Sequence, residues 1–195
     1  MFSRSMWQAS PEDSSVYFTF DDGPTPEVTK WVLELLDEFN AKGTFFCIGN
    51  NVEKHPSIYN SILSQNHSVG NHSYSHLNGW KIDGDTYAQD VQVASQFIQS
   101  PLFRPPYGKC NFSQYKSLSE KYTIVMWSIL TGDWRQDASS EKIIEKVNKY
   151  MIPGSILVFH DSVKAFPILK QVLPQCLAIA RARGFNMRAL PMQKR

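Results

Sequence analysis

Short apolar runs alternate along this chain with longer segments whose apolar residues recur every three or four positions. Residues 16–20 (Val-Tyr-Phe-Thr-Phe) form the first run. β-Branched and aromatic residues favour a pleated strand, and Gly23-Pro24 stops it at once. Residues 26–40 read as an amphipathic helix, with Thr25 as N-cap, Pro26 in the first turn, and Trp31, Val32, Leu35, Leu36 and Phe39 on one face. The same alternation continues. Strands are expected at residues 44–48, 68–70, 102–103, 123–128 and 155–159, with a short seventh at 186–190. Helices are expected through Ile58, Ile62 and Leu63, and over residues 86–99, 114–121, 139–150 and 165–183. Ser139 or Ser140 would cap the fourth of these, and Pro174 would bend the last.

Strands that alternate with helices pair in parallel through right-handed crossovers. Six or seven such units predict an α/β barrel or a nearly closed one, with an open doubly wound sheet as the alternative. No Gly-rich phosphate loop is present, so nucleotide binding is not favoured.

Composition narrows the function classes. With 195 residues and 42% hydrophobic content the chain reads as one globular domain over its whole length. A net charge of +2, from scattered basic residues, gives no nucleic-acid face. No apolar stretch suits a signal peptide at the N-terminus, and none reaches the roughly 18 residues of a transmembrane helix. Cys47, Cys110 and Cys176 are odd in number, far apart and without a CxxC pair, so they read as buried free thiols. By sequence the chain is therefore expected in the cytoplasm, or in the cell envelope if a leader has been removed. No feature sets an oligomeric state.

The reactive side chains fall in one pattern. Asp21 and Asp22 follow the first strand, His72 and His76 the third, Arg104 and Tyr107 the fourth, Asp133 and Trp134 the fifth, and His160 and Asp161 the sixth. In a parallel barrel those strand ends share one face, where active sites sit. Asp-Gly-Pro is also a common polar turn. Two adjacent carboxylates in a partly dry place nevertheless repel, and both stay charged only beside a metal ion or an arginine. His72 and His76 share a side if the segment between them turns helically. Two imidazoles and one carboxylate make the open three-ligand set of a hydrolytic metal. His55, before Pro56, and His67, before the third strand, read as structural or exposed.

Five motifs stand in order: Thr19-Phe20-Asp21-Asp22-Gly23-Pro24, His72-Ser73-Tyr74-Ser75-His76, Arg104-Pro105-Pro106-Tyr107-Gly108, Gly132-Asp133-Trp134 and Ile156-Leu157-Val158-Phe159-His160-Asp161. Together they closely resemble the polysaccharide deacetylases of carbohydrate esterase family 4, the NodB-homology domain. The resemblance implies a distorted (β/α)7 barrel with one divalent metal, usually zinc, with cobalt or another transition metal as a substitute. It implies removal of N-acetyl or O-acetyl groups from an acetylated glycan. Carried over by motif, Asp22, His72 and His76 would be the metal ligands and Asp21 the general base, oriented by Arg104. The Tyr107 amide would bind the oxyanion. Asp133 would orient His160 as general acid, and Trp134 and Val158 would wall the acetyl pocket. Two positions depart from the family pattern: Leu130 stands where active members often carry a second Asp, and Val158 where Leu is common.

Two other functions compete. One is a same-fold amidohydrolase with a non-acetyl substrate, such as a formylated amino sugar. The other is a catalytically inactive carbohydrate-binding domain, against which the retention of Asp21, Arg104, Asp133 and His160 argues.

Overall fold

Eight strands alternate with seven helices in the computed structural model, which describes residues 5–11 and 14–193. The strands are β1 (Ser15–Asp21), β2 (Thr44–Cys47), β3 (Ser68–Asn71), β4 (Leu102–Phe103), β5 (Thr123–Ile124), β6 (Ile129–Leu130), β7 (Ile156–His160) and β8 (Asn186–Met187). The helices are α1 (Val28–Glu38), α2 (Gly49–Lys54), α3 (Pro56–Ser64), α4 (Gly84–Ala94), α5 (Phe112–Lys121), α6 (Ser140–Tyr150) and α7 (Phe166–Ala182). Every strand pair is parallel. Seven strands lie in the order β5-β4-β3-β2-β1-β7-β6, and β8 adds beside the start of β1. The two ends of that path, β5 and β6, do not pair among the described residues, so the (β/α)7 barrel is distorted and open there. Residues near the N-terminus lie along the gap: Met6 bridges Val125, and Ala9 N–H donates to Gly154 O at 2.9 Å.

β1 is buried along its whole length because both of its faces are covered. Val16, Phe18 and Phe20 face outward and pack with Val32 and Leu36 of α1 and Leu169 and Leu173 of α7. Tyr17 faces inward, in a separate cluster with Phe46, Leu102, Val125 and Ile156, closed by Met6, Ala9 and Leu190. The inward row of β1 continues through Thr19 to Asp21, which stands at the C-terminal mouth of the barrel.

Several boundaries differ from the expectation. Thr25 does not cap α1. The helix starts at Val28 behind Glu27, at φ 65°, with no side-chain cap, and the Thr25 N–H donates to Thr29 Oγ1. Tertiary contacts win over capping propensity here, because Thr29 and Gly23 are both drawn to Asp161. The helix expected through Ile58, Ile62 and Leu63 is α3, with Pro56 in its first turn, and a further short helix, α2, precedes it. The run 123–128 is a strand only over its first two residues. β5 ends at Ile124, the carbonyls of Val125 and Met126 turn to Arg104, and β6 begins only at Ile129. α4 is capped by Asp83 and ends at Ala94, five residues short of the expected end. Ser139 caps α6 as expected, and α7 runs through Pro174 without a break. The three cysteines are buried free thiols, and no helix of the described residues is long and apolar enough to cross a membrane.

Candidate active site

Arg104, the first residue after β4, has no exposed surface and lies inside the barrel. Its Nη1 donates to Asp21 Oδ1 at 2.7 Å and to Thr19 Oγ1 at 2.8 Å. Its Nη2 donates to Met126 O at 2.9 Å and its Nε to Val125 O at 3.2 Å. The guanidinium carbon stands 4.0 Å from the Phe46 ring centroid. A buried cation survives only when paired and saturated with acceptors, and Arg104 is both. Burial pushes the Asp21 carboxyl up. Arg104, with His72 and His160 farther off, outweighs that and holds it below its ordinary value.

Asp22 follows at φ 84°, in the left-handed region that a non-glycine residue rarely adopts. Its Oδ1 is buried and accepts no hydrogen bond. That oxygen lies 3.3 Å from His76 Nε2 and 3.9 Å from His72 Nε2, and one ligand atom from each of the three residues falls within 4.8 Å of the others. His72 Nδ1 stands 2.7 Å from the carbonyl of Arg104. A carbonyl only accepts, so Nδ1 carries the proton and Nε2 presents its lone pair to Asp22. Burial lowers both imidazole pKa values, and for His76, beside His72, to about 4. Two neutral imidazoles and an unpartnered carboxylate oxygen therefore face one another with no hydrogen bond between them. A divalent cation satisfies all three, and an N2O set leaves positions open for water or substrate.

The histidine pair is not brought together by a helical turn. Residues 72–78 have no regular structure, and Ser73 and His76 take φ values of 62° and 56°. Side chains from other elements hold this loop. Asn71 Oδ1 accepts from Ser73 N–H, and Asp90 Oδ2 from α4 accepts from the N–H groups of Tyr74 and Ser75. Four non-glycine residues at the site, Asp22, Ser73, His76 and Tyr107, have positive φ, a concentration of strain typical of functional sites.

Asp133, after β6, is buried and grips His160 twice. Its Oδ1 lies 2.9 Å from Nδ1, and its Oδ2 accepts the His160 backbone N–H at 2.8 Å. The ring is fixed with Nε2 as its free nitrogen. Burial alone would lower the His160 pKa. The bond to Asp133 and the charges of Asp133, Asp21 and Asp22 overcome that and raise it to about 9.

A cavity of about 540 Å³ opens at this face, lined by Asp21, Asp22, His72, His76, Tyr107, Trp134, Val158 and His160. Arg104 and Asp133 stand behind it, so all ten residues picked from the sequence converge on one place. Leu130 and Val158, the two departures, are register partners on β6 and β7 and share one wall of the cavity. The Trp134 and His160 ring centroids are 4.4 Å apart. In the turn holding Tyr107, the N–H groups of Gly108 and Lys109 bond to Pro105 O and Pro106 O, and that of Tyr107 is used by neither bond. His67 is structural: it is buried, and its Nδ1 accepts the Gly43 N–H at 3.0 Å.

Asp161 is the supporting residue to which the motifs gave no role. It has no exposed surface, and it accepts from Gly23 N–H and the Thr29 hydroxyl. It thereby ties β7 to the turn that carries Asp22. Its position directly after His160 was the available signal. A Cβ on Gly23 would stand 2.0 Å from Asp161 Oδ2. Gly23→Ala should therefore cost about 1–3 kcal/mol by overpacking. The check is thermal unfolding, and an unchanged melting temperature would refute the close approach.

The comparisons with known proteins agree on the family. A family model described as polysaccharide deacetylase matches residues 8–125. A peptidoglycan-N-acetylglucosamine deacetylase of Bacillus cereus is 37% identical over 76% of this chain, which spans 56% of that relative's length. A chitooligosaccharide deacetylase of Rhizobium leguminosarum bv. trifolii is 29% identical over 94% of each chain. Among solved structures, a peptidoglycan N-acetylglucosamine deacetylase in complex with a naphthalenyl N-oxidanyl-benzamide superposes with a TM-score of 0.82 at 30% identity, covering 96% of this chain and 93% of that one.

Proposed function

The chain belongs to the polysaccharide deacetylase family, and from that premise we propose that it is a metal-dependent hydrolase removing acetyl groups from the N-acetylated sugars of a glycan. The observation that carries this reading is the unpartnered Asp22 Oδ1 facing two imidazole nitrogens, beside a carboxylate held by Arg104 and an imidazole held by Asp133. When bound, a divalent ion supplies Lewis acidity toward the acyl carbonyl and toward water, and zinc suits an N2O donor set.

The chain's own residues supply the rest. Asp21 takes the proton of the attacking water. Arg104 occupies one of its oxygens and leaves the other for that proton. The Tyr107 N–H stabilises the oxyanion as the carbonyl becomes tetrahedral. His160 gives the proton at Nε2 to the departing nitrogen, and Asp133 keeps its Nδ1 engaged so that the ring does not turn. Trp134, Val158 and Leu130 form the apolar wall that receives the acyl methyl and keeps water out.

The decisive measurement is acetate release from N-acetylglucosamine oligomers, with formate release from N-formyl analogues as control, in added zinc or cobalt. Formate without acetate would replace the acetyl reading with a deformylase. Neither product, with glycan binding retained, would make this a binding domain. The ligand assignment has its own check: His76→Ala should lower metal content sharply by elemental analysis. Metal content equal to that of the parent protein would remove His76 from the ligand set.

A further inference from the structure

Trp80 is 66% exposed, yet it is held in place. Its indole Nε1–H donates to Cys110 O at 3.2 Å, and its backbone N–H donates to Asn78 Oδ1 at 3.1 Å. The Lys109 ammonium stands 4.8 Å from its ring centroid. The loop beneath is fixed as well. Gln114, a buried residue of α5, donates through Nε2 to Gly79 O at 3.0 Å and Ile82 O at 3.1 Å. A Cβ on Gly79 would stand 2.7 Å from both Gln114 Oε1 and Lys109 O, so the loop and the turn pack against each other without room to shift. Leaving an indole in water forgoes apolar burial, and ordering it costs conformational entropy. A rigid exposed tryptophan is thus a surface prepared in advance for a ligand.

Its place relates it to the cavity. Trp80 lies four residues beyond His76, and Lys109, whose ammonium covers it, lines the cavity. The indole is not part of the cavity lining, but it stands beside Lys109, which is, on the side of the Tyr107 turn. A pyranose ring presents weakly polarised C–H groups on its flat face and hydroxyls at its edge. The first match the electron-rich face of an indole, and the second match an ammonium donor.

We propose that Trp80 and Lys109 form an outlying sugar subsite. A hexopyranose of the same glycan chain, away from the sugar being deacylated, stacks on Trp80 while Lys109 donates to its oxygens. The inference rests on the deacetylase reading above, and it makes chain length a determinant of efficiency.

The test compares the dimer and tetramer of N-acetylglucosamine with the zinc-loaded protein, by acetate release and by calorimetric binding. The parent should prefer the tetramer. Trp80→Ala should lower its kcat/KM and affinity for the tetramer on the order of tenfold, the loss of one stacked apolar face. Hydrolysis of an aryl acetate and metal content should stay at the parent level, which shows that the centre is intact. Trp80→Phe keeps an aromatic face and should recover part of the loss. Equal efficiency of the parent on both lengths, or tetramer binding unchanged in Trp80→Ala, would overturn the subsite while leaving the deacetylase reading standing. Absence of acetate release with tetramer binding that still depends on Trp80 would support the subsite and sink the activity. Unchanged glycan binding, with self-association that Trp80→Ala abolishes, would assign the indole to a second copy of the chain and also overturn the proposal.

Discussion

Asp21→Asn should keep the metal and lose roughly 10²- to 10⁴-fold in turnover, the range for a positioned general base. The amide is close to isosteric with the carboxylate. Its oxygen still accepts from Arg104 Nη1, and the inward row of β1 is unchanged. It cannot take a proton from water. The proposed ligand trio of Asp22, His72 and His76 does not include Asp21, so metal content should equal that of the parent.

A stability loss should accompany the kinetic one. Arg104 is fully buried, and its charge is balanced by Asp21 at 2.7 Å. Removing the anion from a buried pair costs about 3–5 kcal/mol when nothing replaces it. The retained hydrogen bond, and the acceptors at Thr19, Val125 and Met126, should keep the loss below that range. Unfolding and elemental analysis on one preparation separate the effects. Metal lost in proportion to activity would move Asp21 into the ligand set.

The alternation of apolar runs carried most of the fold, because a strand buried on both faces is mostly apolar, and β1 is such a strand, with Val16, Tyr17, Phe18 and Phe20 in its middle. The pattern failed where tertiary bonds replaced local ones. Residues 123–128 read as one strand because Val125 and Met126 are as apolar as their neighbours. Their carbonyls are diverted to Arg104, a residue about twenty positions away, and no local pattern records that. Thr25 had the chemistry of a cap, but Asp161 drew the turn elsewhere. The site residues were legible because strand ends in a parallel barrel share a face. The means of bringing His72 to His76 was not. A helical turn was the simplest device for that spacing, and the chain instead uses left-handed residues pinned by Asp90 and Asn71. Trp80 read as nothing in the sequence, since an indole near a turn is as often core as surface.

His160→Ala should damage hydrolysis of an N-acetyl sugar far more than hydrolysis of an activated aryl acetate. An amine cannot depart without a proton, and a phenolate can. Equal damage to both substrates would exclude the acid role. The pH profile offers an independent reading through Asp133. The His160 pKa is raised to about 9 although burial works against the charge, because Asp133 bonds the ring and Asp21 and Asp22 add their fields. A raised pKa keeps the acid form present through neutral pH, and that form is lost as pH rises through about 9. A cation at Asp22 offsets part of the carboxylate field, so the observed limb should fall somewhat lower. Asp133→Asn removes the nearest charge and leaves one oxygen where the ring Nδ1 and the His160 backbone N–H each had one. The His160 pKa should then drop toward the ordinary histidine value of about 6.5. The alkaline limb of kcat/KM on the N-acetyl substrate should move down with it, while the aryl acetate profile stays in place. An alkaline limb that does not move in Asp133→Asn would mean that another group titrates there and that His160 is not the proton donor.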